Sequence, residues 1–429
     1  MELFSMAGIV VAIPAGLLMD KWLDGKITVL AGWLLLLPVG LIQSLGWASP
    51  PLLLLLLFAL AIAIMTIGNV VCMVSMLKGP GRSVASGVAF FGVAINFGLF
   101  NGSMVTGYLV PSGLGAFSWD IFLGIALIAS LIWGLGSLYG LPMGGSEQSI
   151  RWGRQLLAFL GLLAGTGLIC AALSGIDEGL PPGAEEWANT FLLILLLVIG
   201  IVWWLRPDPA NWRRNLAILL PMLLVRIGFE SIYKLPVELN LWGLTLNELE
   251  IGRVRVLVMA AFLLYYGFWL RRDRRKTERR STPTFEKQLL LGGGFAMALT
   301  MVSLDGAKDP FSAMWAIIFY AVAEALLTPA SISLLSRIGD DRRQASGLAL
   351  LMYATGIGKL IMVVILKDKR RIIANDGELG IYWLEWILAL VVLLASAFLW
   401  FRLSALRGEL AKEAPHGPED NEGELPNEK

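Results

Sequence analysis

The sequence predicts an all-α membrane protein built from two similar helix bundles, and three observations support this. Of the 429 residues, 57% are hydrophobic and only 16% are charged, a composition that soluble domains do not require. Apolar runs of about 20 residues, enough to cross a bilayer, recur from end to end. In addition, one segment rich in small residues occurs twice, once in each half of the chain.

The repeated segment begins Ala85-Ser86-Gly87 in its first copy and Ala345-Ser346-Gly347 in its second. Small residues let helices approach closely in lipid, and two matching apolar halves are typical of transporters built from internal repeats. The alternative is that any two small-residue membrane helices resemble each other slightly. A gapless overlay matches six positions: Ala85/Ala345, Ser86/Ser346, Gly87/Gly347, Ala89/Ala349, Ala94/Ala354 and Gly98/Gly358.

The apolar runs predict about thirteen transmembrane helices. In order, they cover about residues 6–18, 27–45, 51–77, 83–110, 117–138, 156–173, 187–205, 215–234, 254–270, 288–303, 311–335, 347–366 and 383–403.

The spans divide the chain into four predicted parts. An N-terminal bundle covers residues 1–140, two linker helices cover 141–212, a C-terminal bundle covers 213–407, and a polar tail covers 408–429. Counting back from the first repeat copy leaves the N-terminal bundle with helices 2 to 6, so its first helix is expected to be missing. The tail is rich in Glu and Pro and is expected to be disordered.

Loop charges predict the orientation. Lys and Arg concentrate on alternate loops, most densely in Arg271–Arg280, while the opposite loops, such as 113–118 and 175–186, carry none. By the positive-inside rule the basic loops and the C-terminus face the cytoplasm of a cell membrane. The basic residues at 367–371 depart from this pattern.

Several functions are disfavoured by composition. The net charge of +1 gives no reason to expect a nucleic acid, and Cys72 and Cys170 each lie in an apolar run. The single histidine, His416, lies in the polar tail. We therefore expect no metal site, no cofactor and no enzyme activity.

Charged residues within the spans are the candidate functional residues, because burying charge in a membrane costs roughly 2.5–3.5 kcal/mol on insertion scales. Glu324 lies near the middle of its span, just before Thr328-Pro329. A proline there loosens the helix, which is tolerated beside a cavity. A purely structural alternative is that Glu324 is neutralised by one neighbouring cation.

Arg226, Glu230 and Lys234 lie at i, i+4 and i+8 and therefore share one helix face. They are predicted either to have a functional role or simply to neutralise one another. Lys359, in the second repeat copy, is a candidate partner for an acid across the bundle. Asn69 and Asn96 are candidate hydrogen-bonding groups, although such residues also hold helices together.

Three stretches resemble the proton-dependent oligopeptide transporters of the major facilitator superfamily. The first is Arg82-Ser-Val-Ala-Ser86-Gly87, continued by Ile95-Asn96-Phe97-Gly98 and Thr106-Gly107-Tyr108-Leu109. The second is Glu324-Ala-Leu-Leu-Thr328-Pro329, continued by Leu334-Leu335-Ser336-Arg337. The third, Asp20-Lys21-Trp22-Leu23 with Gly25-Lys26, resembles the superfamily's conformational loop between its second and third helices.

The resemblance implies proton-driven uptake of di- and tripeptides by alternating access, with two linker helices between the bundles. On this resemblance, Glu324 would bind the peptide amino group and Glu230 would serve in proton coupling or gating. We further expect Asn96, Lys359 and Asn69 to bind the substrate, and Arg226 and Lys234 to act with Glu230. The expected partners are a small-molecule substrate, protons and the lipid bilayer, and the chain is expected to be a monomer.

The sequence also departs from the family pattern. The Glu-x-x-Glu-Arg motif of the family's first helix is absent, Ile67 stands at the position of the family's fourth-helix lysine, and Ser103 stands where proline is usual. Two alternatives therefore remain. The chain is either a carrier of the same fold for a drug, sugar or nucleotide, or a truncated and inactive relative. A non-transporting membrane protein is ranked last.

Overall fold

The computed structural model describes the chain in eleven ranges and at five positions between 87 and 94. The ranges are 2–45, 51–77, 117–138, 152–179, 184–206, 211–232, 248–274, 284–305, 310–338, 343–376 and 383–413. Every regular element within them is helical.

The described residues form twelve α-helices. These are α1 (Glu2–Lys21), α2 (Gly25–Ser44), α3 (Pro51–Leu77), α4 (Phe117–Leu138), α5 (Trp152–Gly179), α6 (Ala184–Leu205), α7 (Trp212–Ser231), α8 (Glu248–Arg274), α9 (Thr284–Asp305), α10 (Pro310–Ile338), α11 (Gln344–Asp376) and α12 (Trp383–Glu413).

Each predicted span except one coincides with a described helix, and the bounds of α3 and α4 agree with the prediction to the residue. The exception, 83–110, lies almost entirely outside the described residues, so the total of about thirteen helices stays a prediction. Among the described residues, six helices are long and apolar enough to cross a membrane, and three more contain shorter apolar segments.

The outer surface of these helices is strongly apolar. Large hydrophobic side chains project outward on α4, α6 and α12, including Ile132 at 59% exposure, Val202 at 63% and Phe401 at 67%. A water-soluble protein rarely exposes such continuous apolar surface, whereas lipid solvates it. The chain is therefore a multi-pass membrane protein.

The helices pack in two groups. In the first, α3 packs against α1 and α2, and α2 also packs against α4. In the second, α9 packs against α10 and α12, α7 packs against α11 and α12, and α8 packs against α10. The main contact between the groups is α1 against α11.

Glycines set the closest helix contacts. A Cβ atom on Gly16 of α1 would lie 2.8 Å from the Ala345 carbonyl oxygen of α11. A Cβ atom on Gly358 of α11 would lie 2.5 Å from the Ile227 carbonyl oxygen of α7. Both distances are too short for any larger residue, so these two contacts require glycine.

The linker helix α6 touches both groups. Its Gly200 packs against Ile13 of α1 and Leu350 of α11. At its end, the indole N–H of Trp204 donates to the Arg343 carbonyl oxygen at 3.1 Å. The Arg343 guanidinium in turn donates to the Trp204 carbonyl oxygen at 3.3 Å. The end of α6 is thereby fixed to the segment that leads into α11.

Candidate functional site

The first ion pair of the candidate site lies within α7. Arg226 and Glu230 are one helical turn apart, and Arg226 Nη2 lies 2.5 Å from Glu230 Oε1. Arg226 also donates to Thr355 Oγ1 of α11 and to Thr328 Oγ1 of α10, each at 2.8 Å. Its guanidinium therefore joins three helices.

Glu230 is only 3% exposed, and its two carboxylate oxygens differ in their surroundings. Oε1 pairs with Arg226. Within the described part of the chain, Oε2 is buried and accepts no hydrogen bond. A buried polar atom in this state carries an uncompensated desolvation cost.

The second ion pair joins α8 to α10. Arg255 Nη2 lies 2.9 Å from Glu324 Oε2, and each side chain is 10% exposed. Glu324 is therefore neutralised in the structure by one neighbouring cation. Arg255 was not predicted, because it follows Arg253 at the start of an apolar run and resembles an ordinary charge at the membrane boundary.

An aromatic stack connects the two ion pairs. The Arg226 guanidinium lies 5.6 Å from the centre of the Phe229 ring, and the Arg255 guanidinium lies 5.4 Å from that of Tyr320. Phe229 and Tyr320 stack with centroids 5.0 Å apart and an interplanar angle of 8°. Cation–π contact of this kind gains strength away from water.

Helix geometry places the two ion pairs within about one turn of each other. On α10, Glu324 and Thr328 are four residues apart, which is roughly 6 Å along the axis, and they contact Arg255 and Arg226 respectively. On α11, Lys359 follows Thr355 by four residues and lies half-buried on the same face. The central polar cluster is defined here as Arg226, Glu230, Arg255, Tyr320, Glu324, Thr328, Thr355 and Lys359.

A separate polar contact crosses between the two helix groups. Asp20, at the end of α1, accepts hydrogen bonds from the backbone N–H groups of Ala345 and Ser346 at 2.8 and 3.0 Å. The Ser346 hydroxyl donates to the same carboxylate. Asp20 thus caps the N-terminus of α11, where the helix dipole favours negative charge.

Burial raises the pKa of Asp20 to about 6, although the bonds from Ser346 and Ala345 and the charge of Arg343 lower it in part. Asp20 lies beyond the apolar part of α1. Its neighbour Lys21 is exposed, and Asp24 instead caps α2 within its own group by accepting from the Lys26 N–H.

The structure brings Glu324, Glu230 and Arg226 into the central polar cluster, with Lys359 on a contributing face. Asn69 lies half-buried on α3, and Gly25 packs against Cys72. Asn96 and Lys234 lie outside the described residues. Thr355 and Tyr320 were not predicted, since nothing in their local sequence distinguishes them from other helix residues.

Among the described residues, no group of three or more His, Cys, Asp or Glu side chains is arranged to hold a metal ion. The buried polar chemistry of the central polar cluster consists of two guanidinium–carboxylate pairs and hydroxyl groups.

No protein-family model matches the sequence, and no curated protein matches it. Solved structures do. A peptide transporter of the POT family in complex with alafosfalin is similar with a TM-score of 0.62, at 14% identity, over 96% of this chain and 85% of that one.

Two other solved structures extend the comparison. The human organic anion transporter MFSD10 has a TM-score of 0.57 at 14% identity, over 94% of this chain and 82% of that one. The proton:xylose symporter XylE has a TM-score of 0.56 at 17% identity, over 94% and 87%.

These similarities show the fold: it is that of the major facilitator superfamily, and the predicted all-α fold is confirmed. The structural neighbours include POT family peptide transporters, which the sequence motifs had also indicated. At these identities the likeness establishes the fold, which carriers of peptides, organic anions and sugars share.

Proposed function

We propose that this chain is a proton-coupled secondary transporter of the cell membrane that works by alternating access, with di- and tripeptides as the leading substrate class. The fold supports the transporter class. The central polar cluster supports the coupling, because ionisable groups inside a membrane are costly and are usually retained for function.

The observation that carries the proposal is the Arg226–Glu230 pair with its buried, unbonded Oε2. A proton on Glu230 would remove the carboxylate charge and weaken its attraction for Arg226. Because Arg226 also holds Thr328 and Thr355, a change in that ion pair reaches α10 and α11. Protonation of one side chain can therefore alter the packing of three helices.

The Asp20 cap supports the alternating-access part of the proposal. It joins α1 to α11, and these helices belong to different groups. Both ends lie beside basic loops, so in the predicted orientation this contact closes the cytoplasmic side. Inward opening would break the cap and separate Gly16 from Ala345.

The test is uptake by proteoliposomes containing the full chain. With an inward proton gradient, dialanine should accumulate against its own gradient, and Glu230→Gln should abolish accumulation while leaving exchange of dialanine across the membrane. Glu286→Gln is the matched control. Glu286 is also fully buried, but it accepts from Ser333 near the end of α10 and lies outside the cluster.

Proton-driven accumulation that persists unchanged in Glu230→Gln would show that this residue is not the coupling site. If Glu324→Gln also accumulates dialanine normally, the binding role suggested for Glu324 is wrong as well. A competition panel of peptides, sugars, nucleotides and drugs would then identify the substrate class.

A carrier for another solute is the second candidate. It is favoured by the Arg255–Glu324 pair, because the carboxylate proposed to receive a peptide amino group already has a cationic partner. In that case dialanine would neither accumulate nor compete, whereas another member of the panel would.

A further inference from the structure

We infer that the transported substrate carries an excess of negative charge, and that Arg255 is the residue that determines this specificity. The expected class is a small organic anion with a free carboxylate and no free ammonium group, for example an N-acylated peptide. This inference rests on the proposed function and narrows its substrate.

Arg255 already pairs with the Glu324 carboxylate. Its Nη2 atom lies 2.9 Å from Glu324 Oε2, and its guanidinium lies over the Tyr320 ring. Since Arg255 belongs to α8, this cation is tethered beside the carboxylate. A substrate ammonium group would have to displace a cation that is tethered beside its target. A tethered group competes at a high effective concentration, so Glu324 is a poor site for a substrate amine.

Both described carboxylates of the cluster already have a guanidinium partner. Glu230 pairs with Arg226, and Glu324 pairs with Arg255. A substrate ammonium group would have to break one of these pairs. A substrate carboxylate could instead bind a guanidinium whose own carboxylate has taken up a proton.

Proton binding and substrate binding are linked by charge. A proton bound by Glu230 or Glu324 cancels one carboxylate charge and leaves its guanidinium partner without a counter-ion. An uncompensated charge in a low-dielectric interior is strongly disfavoured. A substrate anion bound by that guanidinium restores the balance, so one proton and one anionic group enter together.

The shape of the Arg255 guanidinium also suits a substrate carboxylate, because guanidinium groups bind carboxylates through two parallel N–H bonds. In the structure Nη2 of Arg255 donates to Glu324 Oε2 at 2.9 Å. Protonation of Glu324 would weaken this bond and let a substrate carboxylate take its place on Arg255.

The test uses three forms of one dipeptide that differ in charge. These are N-acetyl-alanyl-alanine, an anion; alanyl-alanine, a zwitterion; and alanyl-alanine amide, a cation. Their affinities for the purified full-length chain are measured by calorimetry. Since a charge-assisted bond contributes roughly 1.5–3 kcal/mol, we expect the anion to bind about tenfold to a hundredfold more tightly than the cation, with the zwitterion between them.

Arg255→Gln should remove most of this preference. Arg255→Lys should restore part of it, because lysine returns the positive charge but lacks the paired N–H donors of a guanidinium. The matched control is Arg253→Gln, which removes a charge from the same helix at an exposed position. An Arg253→Gln chain should keep the preference of the unaltered chain. Loss of the preference in Arg253→Gln as well as in Arg255→Gln would overturn the assignment to Arg255.

The inference is overturned if the cation or the zwitterion binds most tightly, or if all three forms bind equally well. The proposal of peptide transport would then still stand. Failure of all three to bind would also overturn it. Proton flux is measured separately with a pH-sensitive dye inside proteoliposomes. If the anion binds best but moves no protons, the proposed function fails while the preference and its dependence on Arg255 remain.

Discussion

Removing one partner of a buried ion pair costs more folding stability than replacing both partners with apolar residues. Arg255 and Glu324 are both nearly buried and are joined at 2.9 Å. Removing one partner leaves the other as an uncompensated charge, whereas replacing both with apolar residues leaves none. Single and double substitutions should therefore behave very differently.

We predict that Arg255→Met lowers the free energy of unfolding by about 3–5 kcal/mol, the usual cost of leaving a buried charge unpaired. The double variant Arg255→Met/Glu324→Leu should recover at least half of that loss. The measurement is the unfolding of detergent-purified protein, followed as a double-mutant cycle. Additive losses in the double variant would mean that the two side chains do not depend on each other.

The aromatic stack of Phe229 and Tyr320 affects the two arginines on either side of it. Phe229 and Tyr320 fill the space between the two guanidinium groups. They place aromatic ring faces between the ion pairs, which favours both cations. The charges of the cluster are thus kept apart but within one connected set of contacts.

Helix packing depends on a few small residues at the crossing points. At Gly358, α11 approaches the backbone of α7 beside Glu230. A side chain at this position has no room, because the nearest atoms include a carbonyl oxygen and the Cβ of Glu230. The packing that positions the central polar cluster therefore depends on the absence of a Cβ atom.

We predict that Gly358→Ala destabilises the chain by roughly 1–3 kcal/mol, the usual cost of overpacking, and weakens substrate binding by moving Glu230. Gly161→Ala is the matched control, because a Cβ atom at Gly161 would meet no atom of the described residues within 4 Å. Thermal unfolding and binding affinity are measured for both. Equal behaviour of the two variants would contradict the crossing-point role of Gly358.

The two helix groups are connected by the Asp20 cap, and its pH dependence has a definite sign. In the closed arrangement the pKa of Asp20 is about 6, raised from 3.8 chiefly by burial. When α1 and α11 separate, water reaches the carboxylate and the pKa returns toward its ordinary value. The closed arrangement therefore binds a proton more tightly than the open one. Among the described residues, Arg343 and the adjacent Lys21 bring positive charge to this end of α1.

We predict that the closed population falls as the pH rises through about 6. Lowering the pH below 6 should restore it progressively, and in full only near the ordinary pKa of 3.8. Nitroxide labels on Lys21 and Gln288, which are exposed and belong to different groups, would report the distance by electron spin resonance after Cys72 and Cys170 are replaced by Ala.

Asp20→Asn should remove this dependence on pH. Asp24→Asn should keep it, because Asp24 caps α2 within its own group. A distance that shifts in the opposite direction would refute the sign of the coupling. If the pH dependence of the distance persists in Asp20→Asn, another titratable group causes it.

The sequence predicted the helices well and their ends less well. Long apolar runs indicate where lipid surrounds the chain, which placed α3 and α4 correctly. The prediction ended the eleventh described helix at 366, whereas α11 continues to Asp376. Lys and Arg at 367–371 favour helix as strongly as Leu does, so hydropathy marks the end of the apolar segment and not the end of the helix.

The contacts of the candidate site differ in sequence separation, and only the local one could be predicted. Arg226 and Glu230 were predicted to share a face because they lie four residues apart on one helix, and that geometry is local. Arg255 and Glu324 are 69 residues apart, and Asp20 and Ala345 are 325 apart. No local pattern specifies which distant side chains meet.

The sequence by itself determined that the chain is a helical membrane protein, the order of its helices, and which charges lie within apolar segments, since these depend on composition and short-range periodicity. The tertiary structure alone decided that Glu324 is held by Arg255, that Arg226 joins three helices, and that Asp20 caps α11. These contacts depend on how helices cross, and the crossings are set by close packing at residues such as Gly16 and Gly358.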